Sequence, residues 1–335
     1  MTKKRKLTAE EKEILARGKR KSGINKEKVR KFLLGSREKY GFIKTFLAYA
    51  VLIAIGFVFM YPILKMISTS FMSLDDLLNG SITWLPSKFQ TSNYKDALNA
   101  MDYWKALKDS LMIAGIPTLI QVVVCGVVGY GFARFNFFGK KLCIGILILA
   151  FVLPQQILIT PTYVVYSQLG LTNSLLAYIV PALLGQGIKA PIFILIYMSF
   201  YRQIPQSLVE AASIDGAGYF KSFFKIAIPS ATGAMIVVLL FSFVWYWNES
   251  YLTNLYITGR RSEYTTIITS LSKFDSSFDA YANSSSAGSS SSSASINEAY
   301  RMAGTVLSVL PLMILYFIMQ RYFVESIDNA GITGE

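Results

Sequence analysis

The sequence predicts an all-α integral membrane protein with six transmembrane helices, and two observations support this fold class. Apolar residues fill 53% of the 335 positions and charged residues only 16%, which is too apolar for a soluble domain of ordinary composition. A bilayer core needs roughly 20 apolar residues per helix, and six stretches of about that length occur. They run approximately over residues 46–67, 110–132, 142–164, 175–200, 232–251 and 303–323.

The segment before the first stretch, residues 1–44, is strongly basic. The positive-inside rule places it in the cytoplasm, and six crossings return the C-terminal tail, residues 326–335, to the same side. The basic residues lie beside predicted spans, without a basic platform interleaved with aromatic side chains. The net charge of +13 therefore favours anionic membrane lipid over nucleic acid as a partner.

Four prolines interrupt the third and fourth stretches. Such breaks are tolerated in a membrane where neighbouring helices or a water-filled path satisfy the freed backbone groups. The four are Pro154, Pro161, Pro181 and Pro191.

A polar loop, residues 201–229, separates the fourth and fifth stretches and is predicted to form a cytoplasmic helix–turn–helix unit. Pro205 suits the first turn of a helix, and Asp215 with Gly216 marks a tight turn that ends it. Aromatic residues then recur at helical spacing until Pro229. Small residues near the turn would let a partner approach the backbone closely.

Two external loops have distinctive composition. Trp84 and Trp104 lie between the first two stretches and are predicted to anchor that loop at the membrane interface. The last external loop, residues 252–302, contains a serine-rich run at 283–295. Such a run buries too little apolar surface to offset its ordering entropy, so we expect it to be flexible.

The chain lacks the residues for several kinds of chemistry, and we expect it to be no enzyme. It has no histidine, which excludes a His-based triad, a His general base and a His metal ligand. Its two cysteines, Cys125 and Cys143, fall inside predicted spans and are expected to pack as small apolar residues rather than to bind a metal or form a disulfide. No phosphate-binding glycine-rich loop is present, so the chain should not bind ATP alone.

Polar residues inside the apolar stretches are the candidates for a substrate path, because amide, carboxylate and hydroxyl groups beside aromatic faces hold hydroxyl-rich ligands. Other roles remain open. Lys189 could snorkel or pair with another chain, the glutamines could bridge helices, and nearby tryptophans could be interface anchors. The candidates are Gln155, Gln156, Gln186, Lys189, Tyr246, Asn248 and Glu249.

The loop at 201–229 resembles the cytoplasmic signature of the permeases of binding-protein-dependent ABC importers. That signature is Glu-Ala-Ala, three residues, Gly, nine residues and Ile-x-Leu-Pro, and the chain keeps its spacing with Ile228 in place of Leu. The resemblance implies the type I ABC importer permease fold and a coupling helix that docks on an ATPase subunit. The residues expected to couple to the ATPase are Glu210, Ala211, Ala212, Asp215, Gly216, Ala217 and Pro229.

A wider resemblance, over about residues 45–335, points to carbohydrate importers and to the maltose-type second permease, the G subunit. It implies a second homologous permease, two ATPase subunits carrying ATP and Mg, and an extracellular sugar-binding protein, with no cofactor on this chain. It also implies a bacterial cytoplasmic membrane as the location. The C-terminal tail departs from the family pattern at Ser326, Asp328 and Thr333, so its insertion at the ATPase is less expected than docking of the loop.

The expected organisation is therefore a basic segment at 1–44, a permease domain at 45–325 and a cytoplasmic tail at 326–335. Two rival functions stay open. One is an ABC importer of another small solute, because the sugar assignment rests only on the wider resemblance. The other is an ion-coupled secondary transporter, which would need coupling carboxylates in its spans, where Glu249 is the clearest acidic residue.

Overall fold

A computed structural model describes residues 35–36, 39–40, 42–257, 263–285 and 298–332, and these are mostly helical. Contacts divide the chain into two units, the first ending at Lys65 and the second beginning at Met66. This agrees with the helical class expected from the sequence. Two residue pairs form short strands instead, β1 at Gly35–Ser36 and β2 at Lys39–Tyr40, which pair antiparallel.

Helix α1, Phe42–Ser70, contains the boundary between the two units. It has 29 residues; its apolar spanning window is not buried against the chain, whereas its last residues, Thr69 and Ser70, are buried. An apolar helix segment without internal packing is stable only where lipid or another chain covers it. It is the first of the predicted spans.

The second unit holds the other helices. They are α2 Leu74–Leu78, α3 Ser92–Ala100, α4 Tyr103–Arg134, α5 Lys140–Val152, α6 Gln155–Gln168, α7 Leu176–Leu183, α8 Ala190–Gln203, α9 Gln206–Ile214, α10 Tyr219–Ser222, α11 Ile228–Ser230, α12 Thr232–Asn248, α13 Ser250–Tyr256, α14 Ile267–Ser272, α15 Phe274–Ser285 and α16 Glu298–Ile332. A π-helix, Phe223–Ala227, joins α10 to α11.

Helix α4 lies at the centre of this unit and packs against α7, α8 and α12. Its contact with α8 is close because Gly129 faces Tyr197: a Cβ at Gly129 would come within 2.6 Å of the Tyr197 Cβ. Small residues at helix crossings let backbones approach in this way in membrane proteins. The tight pair α4 and α8 forms the frame on which the candidate site is built.

Among the residues that the structure describes, three helices are long and apolar enough to cross a membrane: α1, α4 and the Glu298–Tyr322 part of α16. Two bent pairs qualify if each counts as one span, α5 with α6 at 101° and Tyr219–Ser230 with α12 at 72°. The predicted count of six is therefore not confirmed. The fourth predicted stretch, residues 175–200, contains α7 and α8 with a break at 184–189.

Local backbone geometry explains the breaks. Pro154 stands between α5 and α6, where its ring cannot continue the helix. Gly185 and Lys189 both adopt a positive φ between α7 and α8, +72° and +58°. Left-handed residues cannot propagate a right-handed helix. Helix α7 therefore ends before Gly185, and α8 begins only after Lys189.

Several expectations concern the loops and tails. Helix α15 includes the first three residues of the serine-rich run, 283–285, so the run is helical at its start. Its remainder and residues 1–34 lie outside the described residues. Helix α16 continues to Ile332, so the expected tail is helical over 326–332. Both cysteines are free thiols, with Cys125 buried and Cys143 exposed.

Candidate functional site

A cavity of about 250 Å³ lies where the pairs α5–α6 and α7–α8, each separated by a break, meet the end of α12. We call it the central cavity. Four of the seven predicted path residues line it: Gln155, Gln186, Lys189 and Tyr246. The structure thus brings together residues from three of the predicted apolar stretches. In many transporters discontinuous helices supply the substrate site, because a break in a helix exposes polar groups within the membrane.

Sequence reasoning missed four other polar residues of the cavity lining. A hydroxyl group is common to all of them, and three also contribute an aromatic ring. They are Thr162, Tyr166, Tyr178 and Tyr256. The Tyr178 and Tyr246 rings meet edge to face at 5.1 Å, and the Tyr166 and Tyr256 rings are also 5.1 Å apart. The cavity is therefore walled by aromatic faces.

A hydrogen-bond triangle, which we call the clamp, holds the break between α7 and α8. The Gln121 side chain is fully buried and its Nε2 donates to the Ile188 carbonyl at 2.8 Å. The Tyr246 hydroxyl donates to the Gln121 Oε1 at 2.9 Å and accepts from the Ile188 N–H at 3.1 Å. Both backbone groups of Ile188 are satisfied, as a buried backbone without helical partners requires.

Gly187 fits the clamp because it has no side chain. A Cβ at this position would lie 2.3 Å from the Gln121 Oε1 and 2.6 Å from the Tyr246 hydroxyl. The clamp therefore depends on a glycine next to Ile188. Beyond it, Lys189 turns left-handed and its Nζ lies 5.8 Å from the centre of the Trp245 ring, within the range of a cation–π contact.

Tyrosine hydroxyls also tie the cavity wall together. The Tyr178 hydroxyl lies 2.9 Å from the Thr253 Oγ1, and the Tyr256 hydroxyl donates to the Ile159 carbonyl at 3.4 Å. These bonds connect α6, α7 and α13. The hydroxyls of Tyr178, Tyr246 and Tyr256 are thus engaged in hydrogen bonds within the protein, which we call the framework, and are not free to bind a ligand.

Three predicted path residues do not line the cavity. Glu249 caps α13, its Oε1 accepting from the Leu252 N–H at 3.0 Å. Asn248 is exposed at the end of α12, and Gln156 is exposed on α6 beside Gln155. Glu249 therefore has a structural role as a helix cap.

The loop at 201–229, which we call the elbow, contains the last residues of α8 followed by α9. This helix ends at Ile214, and Gly216 adopts a φ of +75°. The Ala217 N–H then donates to the Ala212 carbonyl at 2.9 Å, the 6→1 bond that closes a helix in a Schellman motif. The sequence prediction of a turn at Gly216 is confirmed.

The predicted coupling residues lie on the outside of the elbow. Glu210, Ala211, Asp215, Gly216 and Pro229 are exposed, and Ala212 and Ala217 are half-buried. Large apolar side chains are exposed beside them, with Ile214 at 87% and Phe220 at 83%. Leu208, Tyr219 and Phe224 are exposed as well.

The inner side of the elbow is fixed to α4. Arg134, at the end of α4, donates from Nη2 to the Ile204 carbonyl at 2.6 Å. The Tyr130 ring lies 4.8 Å from the Phe223 ring and 5.3 Å from the Tyr201 ring. These contacts join both halves of the elbow to the central helix.

The sequence carried a signal for one of the missed residues. Gln121 is a single amide in the apolar middle of α4, and a polar group there needs a partner within the bundle. The positions of Thr162 and the three tyrosines gave no comparable signal, because hydroxyl and aromatic residues also occur at lipid and packing positions.

A model of the family described as "Binding-protein-dependent transport system inner membrane component" matches residues 122–329. An arabinooligosaccharides transport system permease protein of Halalkalibacterium halodurans is 25% identical over 84% of this chain and 93% of its own length. An osmoprotective compounds uptake permease protein of Synechocystis is 26% identical over 82% of this chain and 88% of its length.

A diacetylchitobiose uptake system permease protein of Streptomyces coelicolor is 27% identical over 84% of this chain and 87% of its length. Among solved structures, a chain of a bacterial ABC transporter that imports the acidic polysaccharide alginate superposes with a TM-score of 0.71 at 21% identity. That match covers 86% of this chain and 98% of the other. It supports the fold described above.

Proposed function

Because the chain belongs to the family of inner-membrane components of binding-protein-dependent transport systems, we propose that it is a permease subunit of an ATP-driven ABC importer for sugars. The observation that carries this proposal is the elbow: a family signature on an exposed surface with large apolar side chains beside it. Exposed apolar patches of this kind mark sites where a partner docks. The docked partner is an ATPase subunit in this proposal.

The work is divided among several chains. A second homologous permease completes the path, and an extracellular sugar-binding protein delivers the ligand, as in maltose-type importers. Two ATPase subunits bind ATP and Mg and supply the energy, while this chain carries no cofactor and catalyses no reaction. In this proposal the chain forms part of the transport path and transmits the movement of the ATPase subunits to it.

The structure offers a physical route for that movement. Helix α8 runs from Lys189, at the cavity, to the start of the elbow, and α12 runs from the end of the elbow to Tyr246. At about 1.5 Å per residue, the 14 residues of α8 span roughly 21 Å. A displacement of the elbow therefore acts on both walls of the central cavity through two rigid helices.

Two observations support a sugar as the cargo, and a third supports a shared site. The cavity combines amide and hydroxyl groups with aromatic faces, the combination that holds hydroxyl-rich ligands. Two relatives are named for oligosaccharide uptake. The cavity is slightly smaller than the roughly 300–1,000 Å³ of complete small-molecule sites, which fits a site that a second permease completes.

A second candidate is an importer of another small solute, because one relative is named for osmoprotective compounds. An ion-coupled secondary transporter is less favoured. The clearest carboxylate for ion coupling, Glu249, is engaged at the start of α13.

The test is uptake by the assembled complex in liposomes with ATP inside. Glu210→Ala is expected to abolish uptake while the complex still inserts and ligand still binds its receptor. Lys141→Ala, which changes an exposed charge outside the elbow, is the matched control and should leave uptake unchanged. Normal ATP-coupled uptake by the Glu210 variant would contradict the proposal.

We also propose that the chain crosses a bacterial cytoplasmic membrane with both termini inside. The basic residues before α1 and on the elbow support this orientation. A fluorescent reporter fused after Glu335 should be active in the cytoplasm. A periplasmic signal would contradict the orientation and place the elbow on the wrong side for ATPase docking.

A further inference from the structure

The central cavity contains an ammonium group without an anionic partner. In the described part of the chain, Lys189 forms no ion pair or hydrogen bond through its ammonium, and its Nζ lies 5.8 Å from the centre of the Trp245 ring. The cavity lining includes no Asp or Glu. An ionisable group inside a membrane protein is costly, so an unpaired one facing a cavity indicates that its counter-charge arrives from outside the chain.

Nearby groups do not supply that counter-charge. Within the described residues Glu249 forms no ion pair with Lys189, and its Oε1 accepts from the Leu252 N–H at the start of α13. The backbone N–H groups at the start of α8 could also bind an anion, but they are already used. The Ala190 N–H donates to the Gly187 carbonyl at 3.0 Å, the Ile192 N–H donates to the Lys189 carbonyl at 3.1 Å, and Pro191 has no N–H. The ammonium is therefore the group through which this end of α8 can bind an anion.

Neutral polar groups of the lining are also free. The side chains of Gln155, Thr162 and Gln186 make no hydrogen bond within the described residues. They contrast with the hydroxyls of Tyr178 and Tyr246, which are engaged in the framework. One cation, two amides and one hydroxyl thus face the same space, beside aromatic rings.

We propose that the central cavity takes a sugar that carries an anionic group, with Lys189 pairing with that group and the free amides contacting the hydroxyls. This inference rests on the proposed function and narrows its substrate class. In this structure the ammonium lies 5.8 Å from the centre of the Trp245 ring. A cation–π contact is weaker than a charge-assisted hydrogen bond, so an entering anionic group takes the ammonium from the ring.

The experiment uses the complete permease–ATPase complex in lipid nanodiscs without its receptor, so that the receptor's own selectivity does not enter. Galactose, galacturonate and galactose 6-sulfate are titrated, and tryptophan fluorescence is followed. The Trp245→Phe complex identifies the part of the signal that comes from this residue. Response to both anionic sugars indicates selection by charge, and response to galacturonate alone indicates selection of a carboxylate; each supports the inference.

Galacturonate is expected to half-saturate at a concentration roughly 10- to 100-fold lower than galactose does. Lys189→Gln should remove this difference, whereas Lys189→Arg should keep a preference for the anion. The exposed Lys141→Gln is the matched control. Added salt should reduce the difference in the wild-type complex, a measurement that needs no variant.

Equal binding of galactose and galacturonate, or an unchanged preference in Lys189→Gln, would overturn the inference and leave the proposed sugar transport standing. Loss of the second permease from the Lys189→Gln complex would also overturn it, since the ammonium would then pair with that chain. No response to any sugar, together with no sugar uptake in liposomes, would overturn both.

Discussion

The Tyr246 hydroxyl lies 2.9 Å from the Gln121 Oε1, and together they hold the backbone of Ile188. Tyr246 belongs to α12 and Gln121 to α4, while Ile188 lies in the break between α7 and α8. The clamp therefore connects α4, α12 and the α7–α8 break at the cavity. Its removal is the most direct test of how the cavity is held.

Tyr246→Phe removes the hydroxyl and leaves the Ile188 N–H and the Gln121 Oε1 without this partner. We expect a loss of about 1–3 kcal/mol in stability, the cost of an unsatisfied buried polar group, visible as a lower thermal midpoint of the complex in detergent. Tyr251→Phe makes the same change on an exposed side chain and should have little effect. Equal midpoints for the two variants would contradict the role of the clamp.

Gln121→Leu tests the same clamp from the other side. Because both residues act on Ile188, the double variant with Tyr246→Phe should lose less stability than the sum of the single losses. The measurement is a double-mutant cycle on the thermal midpoint. Strict additivity would show that the two side chains act independently.

Gly187→Ala places a methyl group against the Gln121 Oε1 and the Tyr246 hydroxyl. Overpacking of this kind costs about 1–3 kcal/mol, so we expect a lower thermal midpoint and reduced uptake. Gly115→Ala is the control, since nothing lies within 4 Å of its added Cβ and alanine favours the helix. A tolerated Gly187→Ala would show that the clamp can shift without loss.

Gly129 and Gly126 lie on the same side of α4, toward Tyr197. Gly129→Ala would bring its Cβ to 2.6 Å from the Tyr197 Cβ, whereas Gly126→Ala would make an ordinary contact at 3.5 Å with the ring. We expect the first to lower the yield and thermal midpoint of the complex and the second to be tolerated. If Gly129→Ala were tolerated and Gly126→Ala lowered the yield and midpoint, the closest approach of α4 and α8 would not lie at Gly129.

Gly216 is the turn of the elbow, and no atom lies within 4 Å of an added Cβ. Alanine there costs about 1–2 kcal/mol through its left-handed backbone, while asparagine adopts that conformation more readily. If backbone geometry decides coupling, uptake should fall further in Gly216→Ala than in Gly216→Asn. A larger fall for asparagine would instead indicate close contact with the ATPase.

Arg134 joins α4 to the elbow through the Ile204 carbonyl. Arg134→Met removes this bond, so the elbow should transmit less movement, and ATP hydrolysis by the complex should depend less on loaded receptor. Arg202→Met, at an exposed position of α8 that makes no such bond, is the control. Unchanged receptor stimulation in Arg134→Met would exclude this link from coupling.

Local rules predicted the helical class and the elbow well. The turn at Gly216 needs a left-handed residue after a helix, and Gly meets that need whatever surrounds it. Pro154 likewise predicted a break, and the structure has one between α5 and α6. Such features depend on a few neighbouring residues. The interruptions predicted at Pro161 and Pro181 are wrong, because these prolines lie inside α6 and α7.

The clamp and the division of the fourth stretch could not be predicted in this way. Gln121, Ile188 and Tyr246 are far apart in the chain, and their contact depends on how three helices pack. Apolar composition alone made residues 175–200 resemble one span, although its two helices are separated by left-handed residues. Glu249 was a path candidate for a similar reason, since its capping of α13 is visible only in the fold.

The unequal burial of the two thiols has a practical consequence. Cys143 is exposed at the start of α5 and Cys125 is buried in α4, so a maleimide dye should attach at one place on the natural sequence. A spectroscopic probe can therefore follow the motion of α5 during turnover without first replacing any residue of this chain.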